Sequence, residues 1–257
     1  MSQSEFLATA VEAARAAQEV IRYYYTGNLE VQIKADRTPV TEADIETERA
    51  IKGVLRNGFP EHGFYGEEEG EENADAEYLW LIDPIDGTKS FVRQYPFFST
   101  QIALMHQGEL VVGVSNAPLF EEMASAARGE GAWLNDEPIR VAAPRALDAA
   151  HLSTGNIGSL AASPARWAAL GGLLGEADRH RGYGDFYHYH LLASGKLDLV
   201  IESDVNILDV AALSIIVSEA GGRFTDLDGQ PLNLATRSVC AASCAELHDL
   251  ALARLRA

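Results

Sequence analysis

Apolar residues recur at Phe6, Leu7, Ala10, Val11, Ala14, Ala17, Val20, Ile21 and Tyr24. That helical spacing predicts a first helix over residues 3–25. Gly27 is placed to stop it, and Tyr23, Tyr24 and Tyr25 read as packing or rim residues. Val31 and Ile33 alternate with polar neighbours and predict a short extended piece, followed by a polar loop from Lys34. Thr41 is a good N-cap for a second helix running to about Asn57, with Asp44 as the acid of a capping box. The period then drops towards two. Phe64-Tyr65-Gly66 ends a short strand, and the acidic run over 67–72 reads as a solvated loop from which a glutamate can reach back. Residues 78–82 predict a short buried strand that ends where Pro84 cannot donate to a ladder. Apolar runs near 96–104, 110–114, 122–127 and 131–134, with turn residues between them, predict an antiparallel meander.

The pattern shifts after Ala142-Ala143-Pro144. Strands are expected over 151–154, 197–201, 223–225 and 239–242. Helices are expected over 165–174, 185–194, 210–220 and 245–256. The 210–220 helix is apolar nearly all round, so it should be buried. Alternating strands and helices predict an α/β layer. The chain thus divides into an N-terminal α+β half, 1–143, and a C-terminal α/β half, 144–257, packed as one continuous body.

Candidate chemistry sits at Trp80-Leu81-Ile82-Asp83-Pro84-Ile85-Asp86-Gly87-Thr88. At the strand end the carboxylates of Asp83 and Asp86 and the Ile85 carbonyl can converge. A turn or helix beginning at Gly87 and Thr88 exposes N–H groups suited to an anion. Hard oxygen ligands beside an anion site suit Mg²⁺ and a phosphate ester. A plain surface Asp-Pro-x-Asp-Gly turn fits these residues equally well.

Charge narrows the partners. The 257 residues carry 20 basic and 38 acidic groups, a formal net charge of −18. Nucleic acid and anionic membrane are therefore poor partners. A phosphorylated substrate is not excluded, because bound cations invert the local field. Cys240 and Cys244 suggest neither a disulfide framework nor a zinc site. With no signal-peptide pattern and no apolar run approaching a membrane span, a cytoplasmic protein is expected.

Three blocks, in order, resemble the inositol monophosphatase-like, magnesium-dependent phosphatases. They are Gly66-Glu67-Glu68, the Trp80 to Thr88 stretch, and Ile207-Leu208-Asp209-Val210-Ala211-Ala212 followed by Ser218-Glu219-Ala220-Gly221-Gly222. The resemblance implies a layered αβαβα sandwich of the inositol monophosphatase/fructose-1,6-bisphosphatase type. It implies hydrolysis of a small phosphorylated metabolite with two or three Mg²⁺ ions, in a homodimer. By position, Glu67, Asp83, the Ile85 carbonyl, Asp86 and Asp209 resemble the metal ligands. Thr88 and Glu67 resemble the pair that orients the attacking water, Asp44 the acid paired with that threonine, and the Gly87 and Thr88 N–H groups the phosphate donors. Asp209, read by itself, is also a natural N-cap.

The choice of ester rests on Arg181-Gly182-Tyr183-Gly184-Asp185-Phe186. Inositol-type sequences usually carry a small uncharged or hydroxyl residue after this glycine, whereas this chain has Asp185. It is either a helix cap or a pocket acid that favours a cationic or imidazole-bearing substrate. Arg181 and Gly184 belong to the same candidate substrate segment. Glu202 lies seven residues before Asp209, where the family meets the organic part of its substrate. With Lys89-Ser90-Phe91-Val92-Arg93, this is similar to the histidinol-phosphate phosphatase branch. The alternatives are an inositol-1-monophosphatase or broad polyol phosphatase, and a non-catalytic phosphate-ligand-binding protein. His188 and His190 point to different faces of their helix and read as core or interface residues. Arg93 is either a solvated cation or a contact to phosphate or a second subunit.

Overall fold

The computed structural model describes residues 3–27, 31–33 and 39–256. The expected loop at Lys34 and the side chain of Thr41 lie outside the described residues. In chain order the elements are α1 (Gln3–Tyr25), β1 (Val31–Ile33), β2 (Pro39–Thr41), α2 (Glu42–Gly58), β3 (Gly63–Gly66), β4 (Gly70–Glu72), β5 (Tyr78–Asp86), α3 (Thr88–Val92), β6 (Ser99–His106), β7 (Glu109–Ala117), β8 (Glu122–Ala127), β9 (Gly131–Leu134) and β10 (Glu137–Ile139). There follow β11 (His151–Thr154), α4 (Gly158–Ala162), α5 (Pro164–Glu176), β12 (Arg179–Arg181), α6 (Asp185–Ala193), β13 (Leu199–Ser203), α7 (Ile207–Glu219), β14 (Arg223–Thr225), β15 (Ser238–Ala242) and α8 (Ala245–Leu255).

An eight-stranded sheet runs in the order β10-β9-β8-β7-β6-β5-β3-β4. From β5 to β10 it is the expected antiparallel meander, and β3 joins β5 in parallel. Part of the acidic run forms a strand after all: β4 folds back on β3, with Gly66 opposite Gly70. As an edge strand it tolerates charge. The second sheet, β12-β11-β13-β15-β14, is mixed, with parallel pairs on β11 and antiparallel pairs on β15.

Both faces of the large sheet are covered, which is why 78–82 reads as a continuous apolar run. Trp80 and Ile82 pack with Phe64, Ile102 and Leu104 against α1 and α2. Leu79, Leu81 and Ala103 face the other way, into a core shared with α6 and α7. The α7 side chains from Ile207 to Val217 are buried all round, apart from Asp209, because the helix lies between the two sheets. A third core, with Leu152, Leu199, Leu170 and Leu247, closes the far side of the smaller sheet under α5 and α8. The layers are therefore α, β, α, β, α. Among the described residues no helix is long and apolar enough to cross a membrane. Cys240 and Cys244 are buried free thiols at the β15–α8 junction.

Candidate active site and metal centre

The strand carrying Asp83 does not end at Pro84. It continues to Asp86 through an irregularity in register: Asp83 lies opposite Gln101 and Asp86 opposite Ser99. Three steps on β5 thus match two on β6, which is a β-bulge. Pro84 sits inside the bulge, where its missing N–H costs no ladder bond, and its carbonyl accepts from Thr100 Oγ1 at 2.9 Å. Side chains three apart on a regular strand face opposite sides. The extra residue cancels that alternation and aims Asp83 and Asp86 at one place.

A ligand-atom set from Asp83, Asp86 and Asp209 lies within 4.8 Å of one another. Asp83 is buried, and its Oδ1 has no hydrogen-bond partner among the described residues. Burial pushes the Asp83 carboxyl well up, and the nearby charges of Glu67, Asp86 and Asp209 push the same way. Asp86 is raised well up by burial and then by Asp209, Asp185, Glu202 and Glu67. Burial lifts Asp209 to about 7, against hydrogen bonds from Asn206 and with help from Glu67 and Glu202. Among the described residues, these buried and half-buried like charges and the orphaned carboxylate oxygen form a cluster without a countering cation. An all-oxygen donor set fits a hard divalent cation.

Asp209 does not precede its helix. Asn206 is the N-cap of α7, accepting from Leu208 N–H at 2.7 Å, and Asp209 is the reciprocal capping-box acid, accepting from Asn206 N–H at 2.8 Å. Capping locks its rotamer while leaving lone pairs for a cation. A cleft of about 490 Å³ reaches Asp209 and is walled by Asp204, Arg166 and Arg237.

Gly87 follows the bulge with φ 91°, and a Cβ there would stand 2.7 Å from the Phe97 carbonyl. Only glycine fits this turn. It starts α3, where the Gly87 carbonyl accepts from the N–H groups of Ser90 and Phe91. Thr88 Oγ1 lies 3.2 Å from Asp44 Oδ1 and 3.1 Å from the Ile85 carbonyl. Asp44, expected as a capping acid, is thus buried on α2 with its carboxylate turned to Thr88. Arg93 is exposed at the end of α3. The Glu67 N–H is tied to the Ile82 carbonyl at 3.1 Å, and its carboxylate lies close enough to Asp83 to raise that group's pKa.

The substrate candidates are divided. Gly184, φ 71°, holds the N-cap position of α6 and has no side chain to cap with, and Asp185 follows as the first helical residue with φ 46°. Its carboxylate is therefore not spent as a cap, and the left-handed backbone is a strained conformation for a non-glycine residue. Burial, followed by the Glu202 charge, raises it to about 6, with His188 opposing. Glu202 is buried and already engaged by the protein. Tyr189 Oη donates to its Oε2 at 2.8 Å, His188 Nε2 lies at 3.2 Å, and Asn156 N–H donates to Oε1 at 3.0 Å. Arg181 is exposed on the edge strand β12, its Nη1 donating to the His180 carbonyl, in a separate cleft of about 280 Å³ with Arg179 and Lys196.

Two features escaped the sequence reading. His188 and His190 do point to different faces, and each bonds to a different sheet. His188 joins Ser153 on β11 and Glu202 on β13, whereas His190 joins Ser115 on β7 at 2.9 Å and Glu122 on β8 at 3.0 Å. They clamp α6, and with it Asp185, between the sheets. His190→Leu keeps the volume but strips Glu122 of its imidazole partner and, among the described residues, leaves Ser115 only its bond from Gln101. It is expected to cost about 2 kcal/mol, measured as a lower urea midpoint with an unchanged m-value. The second feature is Glu48 and Lys52, which share the buried stripe of α2 with Asp44 at i, i+4 and i+8. The signal was there: charged residues repeating at the helical period among core positions such as Ile51 and Leu55.

The family model for the inositol monophosphatase family matches residues 2–257. A histidinol-phosphatase from Mycobacterium tuberculosis is 38% identical over 98% of each chain. An inositol-1-monophosphatase from Caulobacter vibrioides is 34% identical over 96% of this chain and 99% of its own. Among solved structures, the extragenic suppressor protein SuhB from Bartonella henselae superposes with a TM-score of 0.88 at 30% identity, over 98% of each chain. With the layers, the bulge and the carboxylate cage in place, these similarities are decisive: the chain belongs to the inositol monophosphatase family and is a metal-dependent phosphomonoesterase acting on small phosphorylated compounds.

Proposed function

We propose that this phosphatase is Mg²⁺-dependent and that its substrate is L-histidinol phosphate, hydrolysed to L-histidinol and phosphate. The observation that carries the substrate is Asp185. It is a half-buried acid at the start of α6, not used as a cap, and close enough to Asp86 to raise its pKa. A carboxylate beside the cage matches an ammonium or imidazolium better than a neutral polyol. Glu202 adds negative charge to the same corner while its own oxygens stay bound to His188, Tyr189 and Asn156.

Glu67, Asp83, the Ile85 carbonyl, Asp86 and Asp209 are the residues that would hold the Mg²⁺ ions. When bound, such ions neutralise charge on the phosphate oxygens and on the leaving oxygen. The rest falls to the chain. Asp44 Oδ1 and the Ile85 carbonyl are both acceptors, so the Thr88 hydroxyl commits its proton to one of them. Its lone pairs are left to accept from a water. A water donating to Thr88 Oγ1 and to Glu67 points its own lone pair at phosphorus, and its proton can pass through Thr88 to Asp44. Gly87 and Thr88 N–H groups, at the start of α3, are placed to receive phosphate oxygens.

The deciding experiment compares phosphate release from histidinol phosphate, inositol 1-phosphate and glycerol 2-phosphate. Histidinol phosphate should have the largest kcat/KM. Asp185→Asn should raise its KM by about 30-fold or more, the scale of a lost buried charge contact, and should spare the neutral esters. Equal losses on all three would reduce Asp185 to a helix-start residue and favour the inositol-type reading.

A further inference from the structure

We propose that Glu48 is the positioning residue for Glu67, acting as an internal anion around which the β3–β4 turn is wrapped. The inference rests on the reading of Glu67 as a metal ligand. Glu48 Oε2 accepts from Glu68 N–H at 2.8 Å and Oε1 from Glu69 N–H at 3.1 Å. Successive backbone N–H groups converging on one carboxylate form the kind of concavity that holds anions. The Glu67 N–H is fixed independently by the Ile82 carbonyl at 3.1 Å. Three consecutive backbone donors, at 67, 68 and 69, are therefore committed, the first to β5 and the next two to Glu48. The backbone on both sides of the Glu67 Cα is pinned, and its side chain has only rotamer freedom left with which to reach Asp83.

The site is built for an ionised carboxylate. The Glu48 side chain is fully buried, yet Lys52 Nζ lies 2.7 Å from Oε1 and 3.3 Å from Glu69 Oε2. Gly66 clears the space: a Cβ there would fall 2.0 Å from Glu48 Oε1. The turn and α2 can meet only because residue 66 has no side chain. One turn earlier on the same stripe, Asp44 holds Thr88. A single helix face thus sets both members of the water-orienting pair. A hydrophobic pair would serve stability as well as a buried ion pair does, but it would offer the turn no acceptors.

The test compares Glu48→Gln, the double variant Glu48→Gln with Lys52→Met, and Glu67→Gln. Mg²⁺ binding is measured by calorimetry without substrate. Amide exchange at Glu68 and Glu69, the thermal midpoint, and turnover of glycerol 2-phosphate are measured alongside. Glutamine keeps the shape, but its NH₂ faces one of the two N–H donors. Glu48→Gln is expected to weaken Mg²⁺ binding by about 10–100-fold, the usual effect of losing a residue that orients a ligand. Exchange at Glu68 and Glu69 should accelerate, and KM at saturating Mg²⁺ should stay near the wild-type value. The double variant should recover the thermal midpoint and not the Mg²⁺ affinity. If both return together, Glu48 is only half of a structural ion pair and the inference is overturned. It is also overturned, alone, if Glu67→Gln is impaired while Glu48→Gln binds Mg²⁺ normally. Wild-type behaviour of Glu67→Gln would instead remove the metal role of Glu67, and the positioning inference with it.

Discussion

Asp83→Asn is expected to lower kcat/KM by about 10³-fold or more, since several kcal/mol of charge stabilisation in the transition state depends on an intact cage. The same change is expected to raise the thermal midpoint of the metal-free protein at about pH 8. Asp83 is buried, its Oδ1 is without a partner among the described residues, and Glu67, Asp86 and Asp209 surround it. Without metal, an ionised Asp83 is a buried charge among like charges. Asparagine is nearly the same shape and carries none. Each kcal/mol of repulsion relieved should appear as about 2–4 °C in the midpoint of a chain this size. Opposite signs for activity and stability are the signature of a site that trades one for the other. A loss of both would make Asp83 a structural residue of the bulge, and activity near wild type would remove it from the cage.

Mg²⁺ binding is expected to weaken steeply as pH falls below about 7, by about tenfold per pH unit for each proton displaced. Asp209 is raised to about 7 by burial, and Asp83 and Asp86 are also raised by burial and then by neighbouring carboxylates, Glu67 first for Asp83 and Asp209 first for Asp86. The sign follows from linkage. A carboxyl with its folded pKa above its unfolded value binds protons better in the folded chain. The stability this gives the metal-free protein is full below the unfolded value, near 3.8 for Asp209, and is lost as pH rises through about 7. Cations replace those protons, so the gain in thermal midpoint on adding Mg²⁺ should be small at about pH 5.5 and large at about pH 8. Buried His190 is held below its ordinary pKa and changes stability at acid pH, but it does so with and without Mg²⁺ and cancels in the difference. Calorimetry in buffers of different ionisation heat should detect proton release on Mg²⁺ binding near pH 6.5. A pH-independent affinity from about 5.5 to 8 would contradict the raised carboxyls.

Much of this was legible because it is local. The 3.6-residue period marked α1 and α2, the alternation and turn residues marked the meander, and the continuous apolar run at 78–82 marked a strand buried on both faces. Glu67, Asp83, Asp86 and Asp209 were singled out by motifs that resemble the family's, and of these Asp83, Asp86 and Asp209 have ligand atoms within 4.8 Å of one another. Errors came where a partner element decides. Pro84 looked like a strand end, and the bulge opposite Gln101 and Ser99 carries the strand through it. Asp44 carried two readings, a helix cap and the acid paired with Thr88, and the fold, not the local sequence, brings its Oδ1 to 3.2 Å from Thr88 Oγ1, 44 residues away. By sequence Asp209 stands just before its helix, whereas α7 already begins at Ile207; α6 begins at Asp185, as expected.

By itself, the sequence determined most of the helices and strands through their periodicity and, through motifs that resemble a known family, the family and its layering, because both depend on neighbours along the chain. The tertiary structure decided what the acids face. Whether Asp83 and Asp86 share a side depends on one extra residue against β6. Whether Asp185 is free and Glu202 engaged depends on α6 being clamped between the sheets by His188 and His190. Glu48 and Lys52 would read as a solvated helix pair until the β3–β4 turn closes over them. Burial turns an ordinary i, i+4 pair into a device, and burial is a property of the packed molecule that no local stretch of residues contains.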